Sequence, residues 1–121
     1  PQLDPSCVMW LGNRVGKLVS NCIYHTVKAA IGEITSPTEV EAIDGLLMAT
    51  QYDIPWRDDI FKGWDYYDIS QSFEFRKAGY KVMVLPADEP WCFHDDGILE
   101  LSEYYKTRDI FMQEYSDMLS C

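Results

Sequence analysis

Basic residues are scarce in this 121-residue chain: ten Lys and Arg stand against twenty Asp and Glu, giving a net charge of −10. Non-specific binding to nucleic acid or to an anionic membrane needs clustered Lys and Arg, so the composition argues against both. An acidic, solvated surface is the plain reading, and it names no partner. The four cysteines, Cys7, Cys22, Cys92 and Cys121, show no Cys-x-x-Cys spacing and no neighbouring Cys/His repeat, which argues against a structural zinc site. A chain with 47% hydrophobic residues does not need disulfide staples. Reduced thiols and a cytoplasmic location are therefore expected. No apolar run approaches the roughly eighteen residues of a membrane span. The opening PQLDPSC has neither the basic nor the apolar region of a signal peptide. Also missing are an Asp-x-Asp pair, a glycine-rich phosphate loop and a Gly-x-Ser-x-Gly elbow. On its own, the chain shows no cradle for a nucleotide or a metal.

What is present suits one domain, or part of one. Residues 1–6, with two prolines and no opening methionine, are expected to be a linker or a cut site. Short strands are expected at Cys7–Leu11 and Lys17–Ser20 around a Gly12-Asn13 turn, and at His25–Ala30. Glu39–Ile43 and Leu46–Thr50 flank Asp44-Gly45, which fits either a hairpin turn or a glycine bulge in one bent strand. Residues 53–63 are expected to form a loop with one helical turn after Pro55. A helix follows from about Tyr66 to Ala78, with Asp65 as N-cap, Asp68 at the third helical position and Gly79 just past the end. Ile69 and Phe73, four apart, make its buried stripe. Lys81–Leu85 is expected as a buried strand and Pro90–His94 as another. A long final helix is marked by apolar residues at helical spacing from Leu101 to Leu119, a stripe suited to core or interface.

Four features could carry chemistry. Asp68, at a helix mouth beside a sheet, is stabilised as an anion by the free N–H groups and partial positive charge there. An ionised aspartate in that place accepts a proton from a hydroxyl, although acidic residues favour first turns for structural reasons alone. In Asp44-Gly45, a carboxylate is followed by glycine, which lets a ligand approach the backbone; taken alone, the pair is more simply a plain turn. His94-Asp95-Asp96-Gly97 fits either ligation of a hard divalent metal or capping of the next loop. Trp56, Trp64, Tyr66, Tyr67 and Trp91 crowd these motifs as rings that stack on sugars, while core packing accounts for each one singly.

The run AIDGLLMATQYDIPWRDDIFKGWDYYDISQSFEFRKAGYKVMVLPADEPWCFHDDG resembles the C-terminal half of a family-2 glycosyltransferase-like domain of the GT-A type. The order of motifs carries the resemblance: a DG segment, an acidic motif opening a helix, R-x-A-G-Y, a valine-rich strand, then histidine. It covers about residues 39–97, and the closing YYKTRDIFMQEY also fits. The resemblance implies an α/β fold with a mixed sheet and flanking helices, the C-terminal part of a nucleotide-diphospho-sugar transferase fold. It implies transfer of a sugar from a nucleotide-sugar donor to a glycan or other hydroxyl acceptor. Asp68 matches the general base of inverting members, and Tyr67 stands where the family has a second acid. Asp44 and Gly45 match the segment bordering the sugar site, and His94 a position that in some members helps hold metal or diphosphate; Trp64 and Tyr67 are expected to shape the acceptor groove.

Mg²⁺ or Mn²⁺ is implied as cofactor, with its main ligands in a first half expected upstream of residue 1. Bacterial surface-polysaccharide or glycoprotein assembly is the setting the resemblance suggests. An exposed sheet edge is expected to permit homo-oligomers. The alternative is a non-catalytic module, derived from such an enzyme, that binds a glycan or a protein.

Overall fold

The computed structural model describes residues 36–45, 47–86 and 101–119, and the backbone alone of four strands at residues 7–10, 15–19, 22–28 and 92–95. In chain order the elements are β1 (Cys7–Trp10), β2 (Val15–Val19), β3 (Cys22–Lys28), β4 (Thr38–Glu39), β5 (Ala42–Ile43), α1 (Tyr67–Lys77), β6 (Met83–Val84), β7 (Cys92–Asp95) and α2 (Tyr104–Glu114). This is an α/β arrangement. β1 pairs with β7, β4 pairs with β6, and β2 lies between β3 and β5. All of these pairs are antiparallel, so no mixed sheet is found among the described residues. β2 shifts register against β3 between Val15 and Lys17. Gly12-Asn13 and the 1–6 linker lie outside the described residues.

Strands occur near most of the expected places, but their extents differ. β5 ends at Ile43, and residues 47–50 are irregular instead of forming a second strand. Asp44-Gly45 is therefore neither a hairpin turn nor a bulge; it is where the chain leaves the sheet. Of the expected Lys81–Leu85 strand, Met83–Val84 form β6, and Val82 O just before it accepts the Val40 N–H at 2.9 Å. Val82 and Val84 are buried while Met83 and Leu85 are exposed. That period-two alternation belongs to a strand with one wet face, and the all-apolar sequence KVMVL concealed it.

α1 ends as expected. Gly79 takes φ +90°, its N–H donates to Arg76 O at 3.0 Å, and the Tyr80 N–H donates to Phe75 O at 3.0 Å. This paired closure is the Schellman motif, which wants glycine at the left-handed position and an apolar contact across it. The Phe75 and Tyr80 rings supply that contact at 5.9 Å.

The start of α1 departs from expectation. Its cap is Tyr66, not Asp65, in left-handed conformation (φ 65°, ψ 4°) with no side-chain capping bond. A bulky residue at positive φ costs about 1–3 kcal/mol and persists only where its surroundings over-determine it. Here the ring is only 3% exposed, faces Tyr104 and Phe111 at 5.3 Å each, and its hydroxyl donates to Tyr104 Oη at 3.0 Å.

Tyr66 thereby joins an aromatic core of Phe61, Phe73, Phe111 and Tyr115 lying between α1 and α2. Phe111 meets Phe73 edge-on at 5.0 Å, a geometry favoured by the ring quadrupoles. Ile69 packs on this cluster beside Phe73, as their spacing predicts. α2 has eleven residues and gives way to turns at 115–118, so the long final helix is not seen. Phe111 and Tyr115 from its stripe are fully buried, whereas Leu101 and Tyr105 are exposed. A helical turn closes after Pro55, as expected, through the Phe61 N–H donating to Arg57 O at 2.8 Å. Arg57 ties this turn to α2 through Glu114 at 2.8 Å.

α1 is not amphipathic: Ser70, Gln71 and Ser72 are as buried as Phe73. Their polar atoms serve the backbone. Ser70 Oγ donates to Tyr67 O at 3.1 Å and Gln71 Nε2 to Ile54 O at 2.8 Å. Ser72 Oγ donates to Asp68 O at 2.9 Å and accepts the Ile43 N–H at 3.2 Å.

Candidate functional site

The chain leaving β5 and the first turn of α1 meet at Gly45 and Asp68. Asp68 is the second helical residue rather than the third. Its Oδ1 accepts the N–H of Ile69 at 2.8 Å, and its Oδ2 accepts the N–H of Gly45, also at 2.8 Å. The carboxylate therefore does the capping work expected of Asp65, and it also pins a segment 23 residues upstream.

Two opposing influences set the proton affinity of Asp68. Burial raises its pKa, the charge of Asp44 adds to the rise, and the N–H donors of Gly45 and Ile69 work against it; the net direction is upward. This is opposite to the shift expected from the helix terminus alone. Removing water from the carboxylate outweighs the donors aimed at it.

Gly45 is required by space, not by backbone angle. An ideal Cβ at this position would lie 2.6 Å from Tyr67 Cζ and 2.7 Å from Cε2, and would overlap the Tyr67 hydroxyl. The Tyr67 side chain thus lies across Gly45, with its pKa raised by burial and by the charges of Asp68 and Asp44. On its other side the Tyr67 ring tilts against Trp56 at 6.2 Å between centroids.

Of the residues singled out in the sequence, Asp44, Gly45, Tyr67 and Asp68 form one cluster. Trp64 does not share it by burial: it is 91% exposed. His94 lies in β7 opposite Val8 of β1, and its side chain lies outside the described residues, as do Trp91 and residues 96–97. Trp56, one of the rings that the sequence places around these motifs, reaches the cluster through Tyr67.

Among the described residues no group of three or more His, Cys, Asp or Glu side chains is arranged to hold a metal ion. Asp68 with Asp44 does not make a ligand set for Mg²⁺, which demands near-octahedral oxygen coordination. No helix among the described residues is long and apolar enough to cross a membrane.

Chemically, the cluster offers a carboxylate of raised basicity, fixed by backbone donors, beside a glycine and two aromatic rings. Such a carboxylate takes a proton from a hydroxyl more readily than a solvated one. No curated protein and no solved structure matches the chain significantly. A family model does: that of a glycosyltransferase-like family, over residues 1–115. The match extends well beyond the 39–97 stretch that carries the motifs, and the chain belongs to this glycosyltransferase-like family, of the family-2 kind.

Proposed function

We propose that the chain contributes the acceptor side of an inverting sugar transfer from a nucleotide-sugar donor to a hydroxyl acceptor. The observation that supports this most is the state of Asp68, whose pKa is raised while both oxygens are fixed by backbone donors. A general base needs both features, a proton affinity moved toward the working pH and a fixed direction.

In this reading Asp68 takes the proton of the acceptor hydroxyl. The oxygen attacks the anomeric carbon of the donor sugar from the face opposite the leaving group. The new C–O bond forms as the bond to the nucleoside diphosphate breaks, and the diphosphate departs with the electron pair. The configuration at the anomeric carbon inverts. Gly45 borders the sugar site and holds the Asp68 carboxylate through its N–H, Asp44 keeps Asp68 basic, and Tyr67 and Trp64 border the acceptor. Mg²⁺ or Mn²⁺, when bound, supplies positive charge to the departing diphosphate; no step is assigned to it among these residues.

The test is transfer and donor hydrolysis over a panel of UDP-, GDP- and dTDP-sugars with Mn²⁺, comparing wild type with Asp68→Asn. Loss of the base is expected to lower turnover by about a hundredfold or more while donor binding is kept. Equal turnover would remove Asp68 from the role.

One observation favours a second reading, a glycan- or protein-binding module without catalysis. Tyr67 stands where the resemblance puts an acid, and its ring fills the space over Gly45 that an incoming sugar would use. Glycan binding without transfer from any donor would select it.

A further inference from the structure

One turn along α1 from Asp68, on the same face, lies a cleft of about 190 Å³ lined by Ile43, Tyr52, Trp56, Gln71, Phe75 and Lys81 among others. Gln71 is 3% exposed. Its Nε2 is committed to Ile54 O at 2.8 Å, which fixes the amide so that Oε1 is the remaining acceptor. That Oε1 is buried and accepts no hydrogen bond, a costly condition unless a donor reaches it. At the rim, Tyr52 and Trp56 are 53% and 48% exposed. Tyr52 is held face to face with Tyr80 at 4.6 Å, and Tyr80 in turn rests on Phe75.

We propose that this cleft seats one uncharged pyranose ring of the acceptor, a hydroxyl donating to Gln71 Oε1 and a C–H face lying on Trp56. This rests on the transfer reading above and names a seat that reading does not use. Three properties select the class of ligand. The volume is below the roughly 300 Å³ at which pockets for drug-sized ligands begin, so it suits one ring and not a nucleotide. Lys81, the cation at the lining, sits 3.8 Å from Glu39, and Asp53 also lines the cleft, so phosphate finds no excess of positive charge. An orphan acceptor beside exposed π faces matches hydroxyls and axial C–H bonds together. Trp56 joins the seat to the reacting cluster, since it lines the cleft and also meets Tyr67 at 6.2 Å.

The test titrates the ¹⁵N-labelled chain with the methyl pyranosides of glucose, galactose, mannose and N-acetylglucosamine, and with glucose 6-phosphate. Concentrations reach about 20 mM, above the ~1 mM Kd of a weak site. At least one methyl pyranoside is expected to shift the Gln71 side-chain amide, with the phosphorylated sugar binding no more tightly. Trp56→Ala, at the rim, and Gln71→Met, isosteric but without polar atoms, are each expected to weaken binding by about tenfold. No shift with any pyranoside, or an undiminished shift in Trp56→Ala, overturns the proposal. The two readings fail separately: wild-type protein that binds a pyranoside but transfers from no donor sinks the transfer reading alone, and transfer without a Gln71 shift sinks the cleft alone.

Discussion

The amide of Gly45 donates to Asp68 Oδ2 at 2.8 Å, so the carboxylate is oriented by the segment that leaves β5 as well as by its own helix. A glycine and an aspartate that stand out separately in the sequence are thus one structural unit, and several consequences can be measured.

Gly45→Ala would drive a methyl group into the Tyr67 ring. Overpacking of this kind costs about 1–3 kcal/mol, and the Tyr67 side chain must move to accept it. Adding Tyr67→Ala should recover much of that loss. Urea unfolding of the two single variants and the double variant should give a coupling free energy of about 0.5–3 kcal/mol. Strict additivity would show that the ring does not lie over residue 45.

The pH dependence of Asp68 has a definite sign. Its folded pKa is raised above the ordinary value of 3.8. Its contribution to stability is therefore complete below pH 3.8 and is lost as pH rises through the folded pKa. Relative to Asp68→Asn, the wild type should lose stability across that interval, as thermal unfolding at a series of pH values would record. The charge of Asp44 is one cause of the rise. Asp44→Asn should accordingly move the acid limb of kcat/KM to lower pH, and an unmoved limb would separate Asp44 from the base.

Ser72 joins helix to strand, accepting the Ile43 N–H and donating to Asp68 O. Ser72→Ala leaves the strand amide without its partner in a half-buried place, at a cost of about 1–3 kcal/mol. Hydrogen exchange should locate the damage at the amides of residues 43 and 45, ahead of any change in the aromatic core.

Tyr66 should respond in two steps. Tyr66→Phe removes the hydrogen bond to Tyr104, a loss of about 1 kcal/mol. Tyr66→Ala also empties the ring's place in the core, for about 3–5 kcal/mol in all, and calorimetry distinguishes the two.

The sequence made some of this legible for reasons that are physical. Gly79 announced the end of α1 because a left-handed closure selects glycine, and Ile69 and Phe73 announced its inner face because apolar residues four apart share one side. Asp44-Gly45 and Asp68 stood out as chemistry-bearing types at element ends. Their connection did not, since a hydrogen bond across 23 residues leaves no periodic trace. Ser70, Gln71 and Ser72 carry the opposite message in sequence to the one they carry in the fold. Polar residues on a helix suggest water, yet here they answer backbone groups and are buried. Tyr66 was equally opaque, because left-handed backbone is foreign to tyrosine and only the ring's surroundings hold it there. The final stripe overstated its helix because turns after residue 114 continue to bury Tyr115, Met118 and Leu119.

Along α1, Asp68, Ser72 and Arg76 follow one another four residues apart, and they address Gly45, Ile43 and Glu41, two residues apart, with the last contact long at 3.5 Å. Four residues of helix rise about 6 Å and two residues of strand about 6.6 Å, so the two repeats run nearly in step like the scales of a vernier. Sliding the helix by one residue would misalign every mark at once. Thermal motion that displaces Asp68 must then carry the strand along with it, so the carboxylate and the end of β5 move as one body.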